Sequence, residues 1–542
     1  MRKYLLLGII ILATILRLYK LASVPPSLYW DEASLGYNAY SILKTGSDEH
    51  GKFLPLTNFA AFGDYKPPGY IYATVPAIAV FGLSEFAIRF PSAFFGILTV
   101  LLTYLLAKKL FEKENIALLA AFFLAISPWH LQFSRGAFEA NLGLFFSTLG
   151  IYLFVKFARG NKYWIFPSLL SFLAAMYTFT GQRLFVPFIL TVLCVQFRNA
   201  VFKNLKVVVA GLFIAAILFW PLFKFATGTI EGRLRFNEVS IFNDLQPADE
   251  STRLRTKDNF AWWANIIHNR RLEYAHTYLT HYFDAFNPTF LFIKGDVNPR
   301  LSVQEVGELY LIDLPLILSG LYFLFAKKSK YRFLIIAWLL ISPLGPSTAR
   351  ETPHALRMIH ILPTFQLIAA FGFFSLYERI KFRKAFTASV FLVLALSFIY
   401  YLDMYYVHWP INYSTQWQYG YKQAVQKTNS LYASADNIVV TKSLGRPYIY
   451  FLLYAKYDPR KFWQEGQVVR DKFFFLDVNG FGKYHFVDDV NQAKVSGETV
   501  YVSGPEAPKG AMVIDTVSAL DGTPVLVVSK KNVSNSSRSQ NQ

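Results

Sequence analysis

One cysteine, Cys194, stands among 542 residues, so a disulfide framework is excluded, and so is any zinc or iron–sulfur centre built on cysteine. Charge is scarce too: Asp, Glu, Lys and Arg make up only 16% of the chain, against about 25% in an average soluble domain. Apolar residues make up 54% and aromatic residues 18%. That surplus needs a partner other than water, and a lipid bilayer is the ordinary one.

Acids are the scarcer sign of charge, 35 against 54 basic residues, which leaves a net charge of +19. The placement of the bases decides what that excess means. Segments 1–3, 107–115, 156–163, 198–206, 327–332 and 378–384 hold +16 of the +19 in short stretches between apolar runs. A nucleic-acid groove would gather its bases on one surface, whereas a multi-pass membrane protein keeps them in the loops of its inner side. No nucleic-acid partner is expected; the lipid bilayer is.

Apolar runs near 4–22, 87–107, 116–133, 141–157, 163–180, 184–198, 207–225, 308–326, 333–346, 358–377 and 385–406 predict about eleven transmembrane helices. With residues 1–3 in the cytoplasm, every basic cluster falls on that side, and an odd count puts the C-terminus outside a plasma (cytoplasmic) membrane. The first run reads as an uncleaved anchor, with Arg17 and Lys20 snorkelling to the outer interface. Residues 1–406 thus form a membrane domain with outer loops 23–86, 226–307 and 347–357. Beyond it, 407–529 reads as a small α/β domain on the outer face. Its strands are expected at Asn437–Thr441, Lys472–Asp477, Thr499–Ser503 and Pro524–Ser529, with helices near Gln418–Ser430 and Pro447–Tyr457. The Ser/Asn/Gln-rich tail 530–542 reads as disordered.

Long outer loops and short inner ones direct attention to the outer face. Trp30-Asp31-Glu32 opens a segment in which Leu35, Ala39, Ile42 and Leu43 share one helical face, predicting a helix in the interface plane. Asp31 suits an N-cap and Glu32 a first-turn acid, so the pair has a purely structural reading beside a catalytic one. Asp64-Tyr65-Lys66-Pro67-Pro68 fixes an extended backbone before a helix and holds Lys66 rigidly. A lysine held so suits a phosphate, or anchors the loop at the headgroups together with its tyrosines. Arg135 and Glu139 are spaced as a helical ion pair, with phosphate binding by Arg135 as the alternative. Arg89, at the start of a span, reads as an interfacial anchor. His276 and His281 are five apart, which is not the spacing of helical metal ligands.

Taken in order, W-D-E, K-P-P, Gly82-Leu83-Ser84-Glu85, Ala87-Ile88-Arg89-Phe90-Pro91-Ser92, Ser127-Pro128-Trp129-His130, Ser134-Arg135 with Glu139, Arg183-Leu184 and Pro353-His354-Ala355-Leu356-Arg357 resemble a family. It is the membrane glycosyltransferases of the protein O-mannosyltransferase and aminoarabinose-transferase superfamily, of GT-C architecture. The resemblance covers residues 1–410 in topology, and its specific motifs lie within 30–140.

What the resemblance implies is transfer of a hexosyl or pentosyl group, with inversion, from a polyprenyl-phosphate donor to an acceptor hydroxyl on a glycan, lipid or protein at the outer face. It gives Asp31 the position of the catalytic base, with Glu32 beside it. The same chemistry asks for cations around the departing phosphate, for which Lys66, Arg135, Arg183 and Arg357 are the candidates. Trp30, Asp64, Tyr65, Glu139 and His354 complete the candidate pocket. The residues assign no cofactor. A divalent metal stays open, because the acid that directly precedes the lysine in aminoarabinose transferases is Tyr65 here, and Asp64 lies one residue further back. D-x-D, the metal-chelating triplet of many soluble sugar-nucleotide enzymes, is absent. The rival reading is a lipid or solute transporter, which would place polar residues on broken helices at mid-membrane.

Overall fold

The computed structural model describes residues 2–62, 64–470 and 475–533. They divide into two compact units, one of Met1–Tyr19, Ser92–Ser134 and Phe138–Leu402, the other of Lys20–Pro91, Arg135–Ala137 and Asp403–Gln542.

The first unit is helical, and a helix occupies each of the eleven apolar runs. Glu85–Phe111, Glu139–Arg159, Leu205–Gly228 and Arg383–Asn412 are each long and apolar enough to cross a membrane. Two bent pairs raise the number to six: Glu114–Ile126 with Pro128–Arg135, and Ala355–Ile361 with Thr364–Tyr377. The other runs hold shorter helices such as Ile165–Thr178 and Asp313–Ala326, of 14 residues each. At 1.5 Å per residue such a helix is about 21 Å long, less than the roughly 30 Å of hydrocarbon. This is a multi-pass membrane fold.

Packing between these helices relies on small residues. A Cβ on Gly320 would sit 2.1 Å from the Ile368 carbonyl oxygen, and one on Gly372 would sit 2.1 Å from that of Leu316. Glycine at both positions lets Asp313–Ala326 and Thr364–Tyr377 meet backbone to backbone. Gly150 likewise receives the Phe172 ring, and its carbonyl accepts a bond from Ser168 at 2.8 Å.

Arg17 does not snorkel. It is fully buried, and its guanidinium donates to the carbonyls of Ala13 (3.2 Å) and Ala125 (3.1 Å) and approaches His130 Nδ1 at 2.7 Å. The reason is the bend of 57° after Ile126. Pro128 has no N–H for the Leu124 carbonyl, and the Trp129 N–H goes to Glu308 instead of Ala125. Arg17 donates to the freed Ala125 carbonyl and, at 3.5 Å, to that of Leu124, which also accepts the Ser127 N–H at 3.4 Å; burying the cation satisfies acceptors that lipid could not.

In the second unit a six-stranded sheet comprises β1 (Asn437–Thr441), β2 (Gly480–Phe481), β3 (Tyr484–Val487), β4 (Gly497–Ser503), β5 (Met512–Ser518) and β6 (Pro524–Val533). Its order is β2-β3-β1-β4-β6-β5. Central β1 is parallel to β3 and β4, the remaining pairs are antiparallel, and Val439 and Tyr501 pack on one side with Val490. Helices at Tyr421–Leu431 and Pro447–Tyr454 match the two expected from the sequence. Of the expected strand Lys472–Asp477, the structure describes Leu476–Val478; residues 472–474 lie outside the described residues. β6 carries the chain past the Lys530 boundary to Val533, and the rest of that tail lies outside the described residues.

The helix expected in the interface plane is Trp30–Thr45, and it is buried on nearly every face. Helix Pro68–Phe81 packs on one side of it and Pro447–Tyr454 on another. Tyr37 Oη donates to the Tyr457 carbonyl at 3.0 Å, and Trp463 Nε1 to that of Asp48 at 3.3 Å. A C-terminal segment remote in sequence thus covers the face that periodicity assigned to water.

Candidate functional site

The candidate site is built at the start of helix Trp30–Thr45 in the second unit. Tyr29, not Asp31, is its N-cap residue, so Asp31 falls in the first turn. Phe59–Ala61 and Asp64–Lys66 form an antiparallel hairpin in which Lys66 faces Phe59. Pro67 continues extended at φ −61° and ψ 146°, and Pro68 opens the next helix. Lys66 is therefore held by strand pairing on one side and a proline-started helix on the other, as its sequence context predicts.

Asp31 and Lys66 meet. Lys66 Nζ donates to Asp31 Oδ1 at 2.5 Å and lies 3.9 Å from Asp64 Oδ2. The lysine side chain is 4% exposed and the Asp31 carboxylate 30%. An inward cation thus holds an acid that keeps an open flank, where an acceptor hydroxyl can approach. Tyr65, between the two charged residues, is contacted at its hydroxyl by Arg470 at 3.4 Å. Trp30 lies against Gly445, whose φ of +119° and lack of a side chain admit the indole: a Cβ there would be 2.7 Å from the ring.

Glu32 points away from Asp31. Both of its oxygens receive the Arg89 guanidinium at 2.9 Å, and they also accept the N–H groups of Ala137 (2.7 Å) and Tyr29 (3.3 Å). Arg89 spends its other donors on the carbonyls of Leu21, Pro25 and Ser27. Both side chains are fully buried, so Arg89 is not an interfacial anchor but the tie that fixes the helix start carrying Asp31. Sequence reading missed this pairing; the signal available was an acid and an arginine, each beside a motif of the resemblance.

Arg135 belongs to the same unit. Its Nε donates to Tyr405 Oη at 3.2 Å and its Nη2 to the Val24 carbonyl at 2.9 Å, and its guanidinium lies over the rings of Tyr405 and Tyr406.

Glu139, Arg183, His354 and Arg357 belong to the first unit. Glu139 opens helix Glu139–Arg159. Half-buried Arg183 donates to the Met176 carbonyl at 3.4 Å, and Arg357 to that of Glu351 at 3.1 Å. His354 Nδ1 is 3.9 Å from Asp296, whose carboxylate accepts the N–H groups of Ala355 (2.6 Å) and Asn298 (2.8 Å). Burial pushes Asp296 up to about 6, against the lowering effect of those two N–H groups. Trp129 closes this cluster: its N–H donates to the Glu308 carbonyl at 3.2 Å and its indole to that of Ala355 at 3.1 Å. The Ser127-Pro128-Trp129-His130 motif therefore binds three segments of the membrane unit together.

Among the described residues no three His, Cys, Asp or Glu side chains converge, and Lys66 lies against both Asp31 and Asp64.

Residues 8–223 match the family model for dolichyl-phosphate-mannose-protein mannosyltransferase. An uncharacterised protein of Aquifex aeolicus (strain VF5) is 30% identical over 141 residues, which are 24% of this chain and 28% of that protein. ArnT from Cupriavidus metallidurans, solved bound to undecaprenyl phosphate, shares the fold over 97% of both chains, with a TM-score of 0.58 at 11% identity. Archaeal oligosaccharyltransferase AglB from Archaeoglobus fulgidus, solved in complex with an inhibitory peptide and a dolichol-phosphate, matches over 83% of this chain and 64% of its own, with a TM-score of 0.50 at 15% identity. At such identities the structures speak for the fold. The two comparisons point the same way: residues 8–223 are similar to the dolichyl-phosphate-mannose-protein mannosyltransferases, and the chain shares the fold of ArnT.

Proposed function

We propose that this protein transfers a hexosyl or pentosyl group from a polyprenyl-phosphate donor to an acceptor hydroxyl at the outer face of the plasma membrane, with inversion. The observation that carries the reading is the Asp31–Lys66 pair, a half-open carboxylate held at 2.5 Å by a buried ammonium. Asp31 takes the proton of the acceptor hydroxyl as its oxygen attacks the anomeric carbon. The bond from that carbon to the phosphate oxygen breaks, and the lipid phosphate leaves with one more negative charge. Lys66 faces that charge and stabilises it. Glu32 serves the helix start through Arg89 rather than proton transfer, and Arg135 braces the same unit through Tyr405.

Arg183 and Arg357 are proposed as further cations for the lipid phosphate, each judged by its own substitution. Eleven spans, a cytoplasmic N-terminus, an outer C-terminus and a division into a membrane domain (1–406) and an outer domain (407–529) complete the proposal. That ArnT was solved with undecaprenyl phosphate and AglB with a dolichol-phosphate supports a lipid-phosphate donor. The acceptor is a glycan, lipid or protein hydroxyl. The test is transfer of labelled sugar from purified polyprenyl-phosphate donors into membrane extract, by wild type and by Asp31→Asn. Equal transfer by both overturns the assignment of Asp31.

A further inference from the structure

Glu49 stands four residues beyond the end of helix Trp30–Thr45, in a loop where the chain folds back. Gly46, at φ +75°, ends the helix; Ser47 bridges Phe53, and Asp48 N–H donates to the Lys52 carbonyl at 3.0 Å. This tight loop turns the Glu49 side chain inward, where it is fully buried. Among the described residues, neither of its carboxylate oxygens has a hydrogen-bond partner. Asn38 lies beside it: its Oδ1 accepts the Glu49 N–H at 3.1 Å, and its Nδ2 donates to the Ser34 carbonyl at 3.0 Å.

A buried carboxylate without hydrogen bonds is costly, and such a group ordinarily avoids the cost by keeping its proton. The charged and titratable groups around Glu49 agree. His50 Nε2 lies 3.5 Å away, but burial, aided by the charge of Arg470, pushes this imidazole down to about 4, so it is neutral at physiological pH. Asp48 is a second buried acid, and Tyr37 and Tyr448 are buried phenols held above their usual range. Lys66 is the cation that favours ionised Glu49, and it is already in contact with Asp31. Burial first, and then the charge of Asp48, push Glu49 up to about 8 against the Asn38 amide and the charge of Lys66, both of which favour the ionised form.

We propose that Glu49 is a positioning residue of the Asp31–Lys66 site: as a neutral carboxylic acid it leaves the Lys66 ammonium to Asp31 and the lipid phosphate, and once ionised it competes for that ammonium. The proposal rests on the reading of Lys66 as a phosphate ligand. It adds an alkaline limit to the site, set by a residue that touches neither substrate.

The test is the affinity of the purified full-length protein for undecaprenyl phosphate in detergent micelles between pH 6 and 9, for wild type and Glu49→Gln. If only the protonated form binds well, wild-type affinity at pH 9 is about ten-fold weaker than at pH 7, because the competent fraction falls by that factor. Glu49→Gln, which mimics the neutral acid, keeps its pH 7 affinity at pH 9. A flat wild-type profile overturns the proposal, as do parallel profiles of the two proteins or a ten-fold loss in Glu49→Gln at pH 7. The wild-type profile alone decides if the variant fails to fold. A wild type that binds no undecaprenyl phosphate at any pH overturns the Lys66 reading as well, which separates the two failures.

Discussion

Cutting the Glu32–Arg89 tie is the sharpest physical test of this architecture. Arg89→Met keeps much of the side-chain volume but strands a carboxylate that is fully buried, and it deprives the carbonyls of Leu21, Pro25 and Ser27 of their donor. Breaking a buried ion pair by removing one partner costs about 3–5 kcal/mol, because the remaining charge is uncompensated. At roughly 2–4 °C per kcal/mol for a unit of 150–250 residues, the midpoint of the second unit falls on the order of 6–20 °C. The assay is thermal unfolding of purified protein in detergent, followed by tryptophan fluorescence. Glu32→Met is expected to be comparably damaging, since it strands the arginine. The double variant recovers part of the loss, because the two charges leave together, while the orphaned carbonyls keep recovery incomplete. A coupling energy below about 0.5 kcal/mol, the range of independent sites, refutes the view that these charges depend on each other.

Four further outcomes follow from the same geometry. Asp31→Asn keeps the fold but lowers turnover about 10²–10⁴-fold, the usual worth of a general base; more than about a tenth of wild-type turnover in a steady-state transfer assay removes Asp31 from that role. Lys66→Ala weakens binding of undecaprenyl phosphate about ten-fold or more, as loss of a charge-assisted hydrogen bond does, whereas a mere interfacial anchor would lower insertion and leave the affinity of folded molecules unchanged. Gly445→Ala brings a methyl to 2.7 Å from the Trp30 ring at a φ of +119°, so it lowers the unfolding midpoint and transfer together; a wild-type midpoint would show that Trp30 does not rest there. Stability also carries a pH signature from Glu49: its folded-state pKa of about 8 lies above the usual 4.5, so its contribution is full below pH 4.5 and is lost as pH rises to about 8. Glu49→Gln therefore gains stability relative to wild type across that window, and a constant difference from pH 5 to 9 refutes the neutral acid.

By itself the sequence determined what local chemistry controls. Scarce charge and long apolar runs specified a helical membrane chain, and a helix occupies every one of those runs. Alternation and turn residues located the central strand Asn437–Thr441 to the residue, and two prolines specified a rigid Lys66. Resemblance then singled out Asp31 and Lys66, 35 residues apart, which the fold brings into contact.

Tertiary structure alone decided how charges were spent. Glu32 finds Arg89 across 57 residues, and Arg17 finds His130 across 113. Each arginine sits beside an apolar run, where hydropathy foretells an interfacial position, yet each is buried because a distant turn left acceptors that only a long cationic side chain could reach. The helix Trp30–Thr45 was expected half-exposed for a related reason: a periodic pattern shows which face is apolar, but not that Pro447–Tyr454 will cover the polar one. Glu49 completes the contrast, since nothing in Asp48-Glu49-His50 sets it apart from a solvated loop until Gly46 turns the chain inward and burial removes the water that would have kept it charged.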